Sequence, residues 1–359
     1  MHLAVDAVGN VGGGGLVVLR DTLKALLREN SVDRITVFSS PGIGILDDVA
    51  HRVEIVEVEG AATSYVQRVA WYLDTCARKA REIGADILLC MNGMGWGISG
   101  VPAVHFVQQS LPFSPEALSR FSWSDRIKYS LVRKLTLFSI RRSACTVVQT
   151  PWMKSLVHAR IGPHHRVEIV FPAGVGEKEV GSASPPGPPK LLYVGSMSPH
   201  KNIEVMLEGF GLLRKRIPSA EMILTIEARP GLTAPGLSFV GQLSREDLFR
   251  TYSEATLLVM PSLVETVGLP LVEAMSMGLP VLAADRPYAR DVCGSAAEYF
   301  DPHSATSMAA EALAILDDPI RLSSLRNNVR VRLPALNALP SYDYLGSILL
   351  AALGKYAAA

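Results

Sequence analysis

The chain has 359 residues, room for two domains at roughly 100–200 residues each, so a single small binding module is excluded. It carries 35 Lys and Arg against 34 Asp and Glu, a formal charge of +1 with 19% charged residues, which excludes the broad basic footprint of a nucleic-acid-binding protein. Mean hydropathy is positive, +0.24, yet no run reaches the ~20 apolar residues of a spanning helix, so buried parallel strands account for it.

The N-terminus, MHLAVD, has no basic region followed by an apolar stretch; it reads directly as a strand, and the expected location is the cytoplasm. Short apolar runs then alternate with helical patterns, the rhythm of βαβ units and a parallel sheet. Strands are expected at 3–8, 34–38, 53–58, 86–90, 103–107, 146–149 and 167–171, and helices near 16–29, 63–82, 124–142 and 151–160. Residues 174–189, ending SPPGPP, can sustain neither a helix nor a central strand and read as a linker. The alternation restarts with strands at 191–194, 222–226, 238–240, 257–260 and 281–284, and helices at 202–216, 245–254, 270–277, 304–317 and 319–331. The tail after Pro340 is again helical and apolar. This gives an α/β chain of two Rossmann-like domains, 1–173 and 190–336, with a C-terminal helical segment, 337–359, packed on a domain surface. The four cysteines, Cys76, Cys90, Cys145 and Cys293, lie far apart and read as free thiols of a reducing compartment.

Residues 261–281, PSLVETVGLPLVEAMSMGLPV, follow an apolar strand and open a helix. Glu265 therefore stands at the strand's C-terminal edge, where open α/β sheets bind ligands. Thr266, Val267, Gly268 and Leu269 form the turn into the helix; free N–H groups and the helix dipole suit a diphosphate there, and Gly268 lets it approach the backbone. Glu273, on a helix whose neighbouring positions read as buried, can accept two hydrogen bonds from vicinal ribose hydroxyls. Singly, either glutamate reads better as a solvated acid near a helix start; together with the two Gly-Leu-Pro segments they form a far more specific pattern.

The stretch resembles the E-x7-E signature of glycosyltransferase family 4, written E-G-F-G-L-P-x-x-E-A-M-x-x-G-x-P-V. The resemblance implies that Glu265 contacts the donor sugar's hydroxyls and Glu273 the nucleotide ribose. Thr266 and Val267 depart from the family's Gly and aromatic residue, which alters pocket shape without removing a charge. It also implies the GT-B fold, two Rossmann-like domains facing across a cleft, with the C-terminal helix crossing back to the N-terminal domain. Residues 191–202, LLYVGSMSPHKN, are similar to the family's Y-V-G-(R/S)-x-x-P-x-K-N element, whose lysine binds the phosphates. Lys201 takes that role, with Gly195 and Ser196 beside the donor. Many members have Arg where this chain has Ser196, leaving Arg229, His200 or the helix dipole to supply the missing positive charge.

The run Gly12–Gly15 is compatible on its own with a flexible turn or with close approach of a ligand; the family's Gly-rich loop at this point implies donor contacts from Gly13 and Gly14. In the region where family members carry H-D-x-x-P facing the acceptor, Gln108 and Gln109 occupy the histidine and aspartate positions. His105 lies inside a buried strand and reads as a core histidine, so no general base is evident. That suits the family's retaining front-face reaction, in which the leaving phosphate takes the acceptor proton. No D-x-D motif or ligand cluster marks a metal site.

The basic and aromatic residues between Arg120 and Arg142 fit a core helix with one solvated basic face or, less readily, an interfacial membrane contact for a lipid-linked acceptor. The expected activity is metal-independent, retaining transfer from a nucleotide-diphosphate sugar (UDP- or GDP-sugar), without cofactor, to a saccharide or lipid-linked acceptor. The expected setting is bacterial surface polysaccharide or glycoconjugate synthesis in the cytoplasm or at the inner face of the plasma membrane. The alternatives are a nucleotide-sugar epimerase or phosphorylase on the same fold, or a non-catalytic partner protein that binds sugar nucleotides.

Overall fold

The computed structural model describes residues 1–9, 14–42, 49–59, 65–95, 100–172, 187–229, 231 and 233–357. The chain falls into two compact units. One comprises Met1–Phe113, Ser124–Ala173 and Leu339–Ala359, the other Ser114–Trp123 and Gly174–Ala338. The stretch read as a linker, 174–189, lies outside the described residues up to 186.

The first unit is built on strands β1 (His2–Asp6), β2 (Arg34–Ser39), β3 (Glu54–Glu57), β4 (Ile87–Cys90), β5 (Ala103–Phe106), β6 (Cys145–Val148) and β7 (Val167–Ile169), all parallel, in the order β3-β2-β1-β4-β5-β6-β7. Its central strands are apolar on both faces because helices cover both. Alternation along β1 sends Leu3 and Val5 into one core and Ala4 into the other. The first core is closed by the helix Leu345–Ala357, whose Leu345, Ile348, Leu349 and Ala352 are fully buried at the i, i+3, i+4, i+7 spacing of one helical face.

The opposite core lies under a helix expected as one piece over 63–82. It is helical over Tyr65–Ala70 and Cys76–Glu82, with a π-helical turn at Trp71–Thr75 between them. The widened turn accommodates two adjacent aromatic residues on the inner side. Trp71 Nε1 donates to Asp6 Oδ1 at 3.0 Å, and the Tyr72 hydroxyl donates to the Val8 carbonyl at 2.8 Å.

The second unit holds β8 (Lys190–Tyr193), β9 (Glu221–Leu224), β10 (Leu237–Phe239), β11 (Leu257–Met260), β12 (Val281–Ala284) and β13 (Ala297–Phe300), again all parallel, in the order β10-β9-β8-β11-β12-β13. β13 and the helix Pro287–Cys293 carry no apolar run long enough to stand out in the sequence.

One boundary needs correction. Ser114–Trp123, read as part of domain 1–173, belongs with the second unit. Its short helix, Pro115–Ser119, is capped by Ser114 and presents Glu116 to Arg286 and, at 2.8 Å, to His303. Phe121 stacks on His200, ring centroids 6.1 Å apart and planes 16° from parallel. Ion pairing and ring stacking, neither of which has a periodic signature, decide where these ten residues pack. The helix Pro319–Asn337 is also longer than expected, so the returning tail begins at Leu339.

Candidate functional site

The strand order of the second unit reverses between β8 and β11, and both segments singled out in the sequence leave the sheet there. In parallel α/β sheets this is where ligands bind, beyond the strands' C-terminal ends.

After β8 the chain turns tightly. A Cβ on Gly195 would lie 2.5 Å from the Tyr193 hydroxyl, which donates to the Ser196 carbonyl at 2.8 Å. The Ser196 side chain itself is exposed. A single 3-10 turn, Pro199–Lys201, then ends at Asn202, which has φ 56° and is the one non-glycine residue with positive φ among the described residues. Asn202 is fully buried, and its Nδ2 donates to the carbonyls of Pro261 at 3.3 Å and Pro302 at 2.8 Å. These bonds tie the turn to the loops after β11 and β13 and offset the cost of the left-handed conformation. The Leu263 amide adds a bond to the His200 carbonyl at 2.8 Å.

With its backbone held from both sides, Lys201 places Nζ 2.5 Å from Glu265 Oε1; the two side chains are only 15% and 16% exposed. His200 beside it is neutral at pH 7. Burial, aided by the Lys201 charge and opposed by Glu265, pushes its imidazole down to about 4, and Nδ1 lies 2.8 Å from Ser198 Oγ.

After β11, Thr266 is partly buried and Val267 fully buried, so Val267 is a packing residue in the turn. Gly268, at φ 74°, precedes the helix Leu269–Ser276, and Leu269 and Pro270 form its first positions. A Cβ at Gly268 would press on Leu271 Cδ1 at 3.1 Å as well as adopt a disfavoured φ. Its N-cap, Gly268, has no side chain with which to cap the first turn, and the positive end of a helix suits an anion. One turn on, Glu273 Oε2 accepts from the Tyr252 hydroxyl at 2.8 Å. Burial raises the Glu273 carboxyl above the usual range, against the Tyr252 hydrogen bond and the Arg245 charge.

Lys201 and Glu265 are thus brought together at the reversal point, and Gly195, Ser196, the 266–269 turn and Glu273 lie on the two segments that leave the sheet there. Arg229 is exposed. Tyr252, Arg245 and Asn202 join the site without having been singled out. Tyr252 lies 21 residues before Glu273 on another helix, and no local spacing links them.

The remaining candidates lie in the first unit. Gly13 is outside the described residues, and Gly14 is the exposed first residue of the helix Gly14–Leu26. Gln108, partly buried beyond β5, donates to the Met91 carbonyl at 2.9 Å, and Gln109 is exposed. His105 is fully buried in β5, with Nε2 2.8 Å from the Gly95 carbonyl and its imidazole pushed down to about 4 by burial. It is a neutral core histidine at pH 7. Asp6, fully buried at the end of β1, is pushed up to about 7 by burial, against hydrogen bonds from Trp71 and Val8; Oδ2 has no partner among the described residues. Also among the described residues, no three His, Cys, Asp or Glu side chains are gathered as for a metal ion.

Residues 188–318 match the family model described as glycosyl transferases group 1. The chain is 32% identical over 139 residues to O-antigen chain mannosyltransferase B of Escherichia coli, a match that covers 35% of this chain and spans only 36% of that relative. In fold it is similar to sucrose-phosphate synthase from Thermosynechococcus elongatus, with a TM-score of 0.76, 17% identity and 100% of both chains covered. It is also similar to Anabaena Alr3699/HepE in complex with UDP-glucose, with a TM-score of 0.72, 14% identity, 99% of this chain and 100% of that one covered. Residues 188–318 are therefore similar to group 1 glycosyl transferases, and the chain that carries them has the two-Rossmann GT-B fold.

Proposed function

We propose that this protein transfers a sugar from a nucleoside-diphosphate sugar to a saccharide or lipid-linked acceptor, with retention of anomeric configuration and without a metal, in cytoplasmic synthesis of a bacterial surface polysaccharide or glycoconjugate. The observation that carries the reading is the Lys201–Glu265 pair, 2.5 Å apart at the β8/β11 reversal and beside a helix N-terminus that opens on Gly268. The E. coli relative's name as an O-antigen mannosyltransferase and the UDP-glucose in the Anabaena structure support both the class and the donor.

In the free protein Lys201 and Glu265 satisfy each other. An incoming diphosphate competes for the ammonium, and Glu265 is released to accept hydrogen bonds from the donor sugar. The diphosphate then lies between Lys201 and the amides of 266–269, which stabilise charge as the glycosidic bond breaks. Gly195 and Ser196 lie beside the donor, and Glu273 accepts from the ribose diol. Gln108 and Gln109 lie toward the acceptor. They cannot take its proton, which passes to the leaving phosphate.

The test is turnover with UDP- and GDP-sugars and an oligosaccharide or lipid-linked acceptor, with the product anomer read by NMR. Glu265→Gln is expected to lose transfer while nucleotide still stabilises the protein by mass action. Unchanged turnover in that variant would sink the assignment. Isomerisation of donor without acceptor, phosphate-dependent release of sugar phosphate, or binding without turnover would each replace it with one of the alternative activities.

A further inference from the structure

The helix Trp123–Arg142, which belongs to the first unit from Ser124 on, packs on that unit with one face and carries a second apolar face that is exposed. Its inner side is ordinary. Thr136, Ser139 and Ile140 are buried, and Val132 and Leu135 pack against the core that holds Trp71 and Leu88. On the opposite side Trp123, Ile127 and Leu131 are 76%, 49% and 39% exposed. Their i, i+4, i+8 spacing aligns them in a stripe about 12 Å long. Single exposed apolar residues need no explanation, but an aligned stripe does.

The helix also carries Arg126, Lys128, Arg133, Lys134, Arg141 and Arg142 against the single acid Asp125, a net +5 in a chain whose total is +1. Lys134 lies in line with the stripe, while Arg126 and Lys128 flank it on either side. All three are exposed. An apolar ridge that includes tryptophan, bordered by cations, matches an anionic bilayer, in which the ridge enters the acyl boundary and the cations meet the headgroups.

We infer that the outer face of this helix docks the protein on an anionic membrane surface. The inference rests on the helix alone and stands whether or not the donor site works as proposed. It does not require a spanning segment; no helix among the described residues is long and apolar enough to cross a membrane.

Cosedimentation of the full chain with vesicles tests it. Binding is expected to vesicles containing phosphatidylglycerol, to be weak with phosphatidylcholine alone, and to fall with added salt. Lys128→Glu with Lys134→Glu is expected to weaken it by at least about fivefold for each lysine removed. The triple variant Trp123→Ser, Ile127→Ser, Leu131→Ser is expected to abolish it while the chain still unfolds cooperatively at a modestly lower thermal midpoint, since Ile127 and Leu131 are 49% and 39% exposed, and the single variant Trp123→Ser, 76% exposed, is expected to weaken it with the midpoint unchanged. Brominated acyl chains are expected to quench part of the wild-type fluorescence, and that part is expected to vanish in Trp123→Phe, which still binds. The inference is overturned by equal binding to neutral and anionic vesicles, by wild-type binding in the triple variant, by an absence of binding to either, or by a dimer that the triple variant dissociates.

Discussion

The hydroxyl of Tyr252 donates to Oε2 of Glu273 at 2.8 Å, from a side chain that is 1% exposed. The bond fixes one carboxylate oxygen and leaves the other for a ligand. It does not fully offset burial, and the Glu273 carboxyl stays above its usual range.

Glu273 therefore binds its proton more tightly in the folded protein than in the unfolded one. It lowers stability at pH values above its folded pKa, and the penalty disappears as pH falls through that value. Glu273→Gln retains an acceptor for Tyr252 and carries no charge. We expect its thermal midpoint to exceed wild type at pH 8 and the advantage to vanish near pH 4, while affinity for the donor nucleotide falls by about tenfold or more. A lower midpoint at pH 8 with unchanged affinity would assign Glu273 a purely structural role.

Lys201 and Glu265 call for a double-mutant cycle. Lys201→Met keeps the apolar stem and strands a carboxylate that is only 16% exposed, at an expected cost of about 1–3 kcal/mol. Adding Glu265→Gln removes the stranded charge and is expected to recover most of that loss without restoring turnover, which should stay at least about 100-fold down. Chemical denaturation and steady-state rates separate the two effects. Recovery of activity along with stability would show that the pair serves the fold alone.

Asn202 supports Lys201 from behind. Asn202→Gly tolerates φ 56° but loses the bonds to the Pro261 and Pro302 carbonyls, an expected cost of about 1–3 kcal/mol. Asn202→Ala loses the same bonds and adds left-handed strain of about 1 kcal/mol, so it is expected to be the less stable of the two. Denaturation curves giving the reverse order would contradict the strained turn.

The parts of this site visible in the sequence are those carried by two contiguous segments, 195–202 and 265–273. Glu265 and Glu273 flank a Gly-Leu-Pro corner and Lys201 follows a Gly-terminated strand, and the resemblance of these segments to family motifs singled them out. Tyr252 reaches Glu273 from a different helix, and the Ser114–Trp123 arm finds its partners, Arg286, His303 and His200, at least 79 residues along the chain. Such contacts have no period. The π turn at Trp71–Thr75 escaped for a related reason, because the residue it answers to, Asp6, lies on the first strand.

Asp6 supplies a prediction in the first unit that is independent of any donor. Its carboxyl is pushed up from an ordinary value near 3.8 to about 7. Between those values the folded protein holds a proton that the unfolded chain has released. The group's contribution is fully present below about 3.8, declines as pH rises, and is gone once pH has passed about 7. Cys76, Cys90 and Tyr72, which face Asp6, are all raised by burial and do not titrate in this window. His105 and His200, held near 4, act in the opposite sense; each loses stability as pH falls from its ordinary value near 6.5. Both histidines remain in Asp6→Asn, so they cancel in the difference between the two proteins. We expect wild type to lose about 3 kcal/mol relative to Asp6→Asn between pH 5 and pH 8, measured by urea denaturation at matched pH. A difference that stays flat across that range would mean that Asp6 ionises like an exposed carboxylate, and that its unpartnered Oδ2 is reached by water.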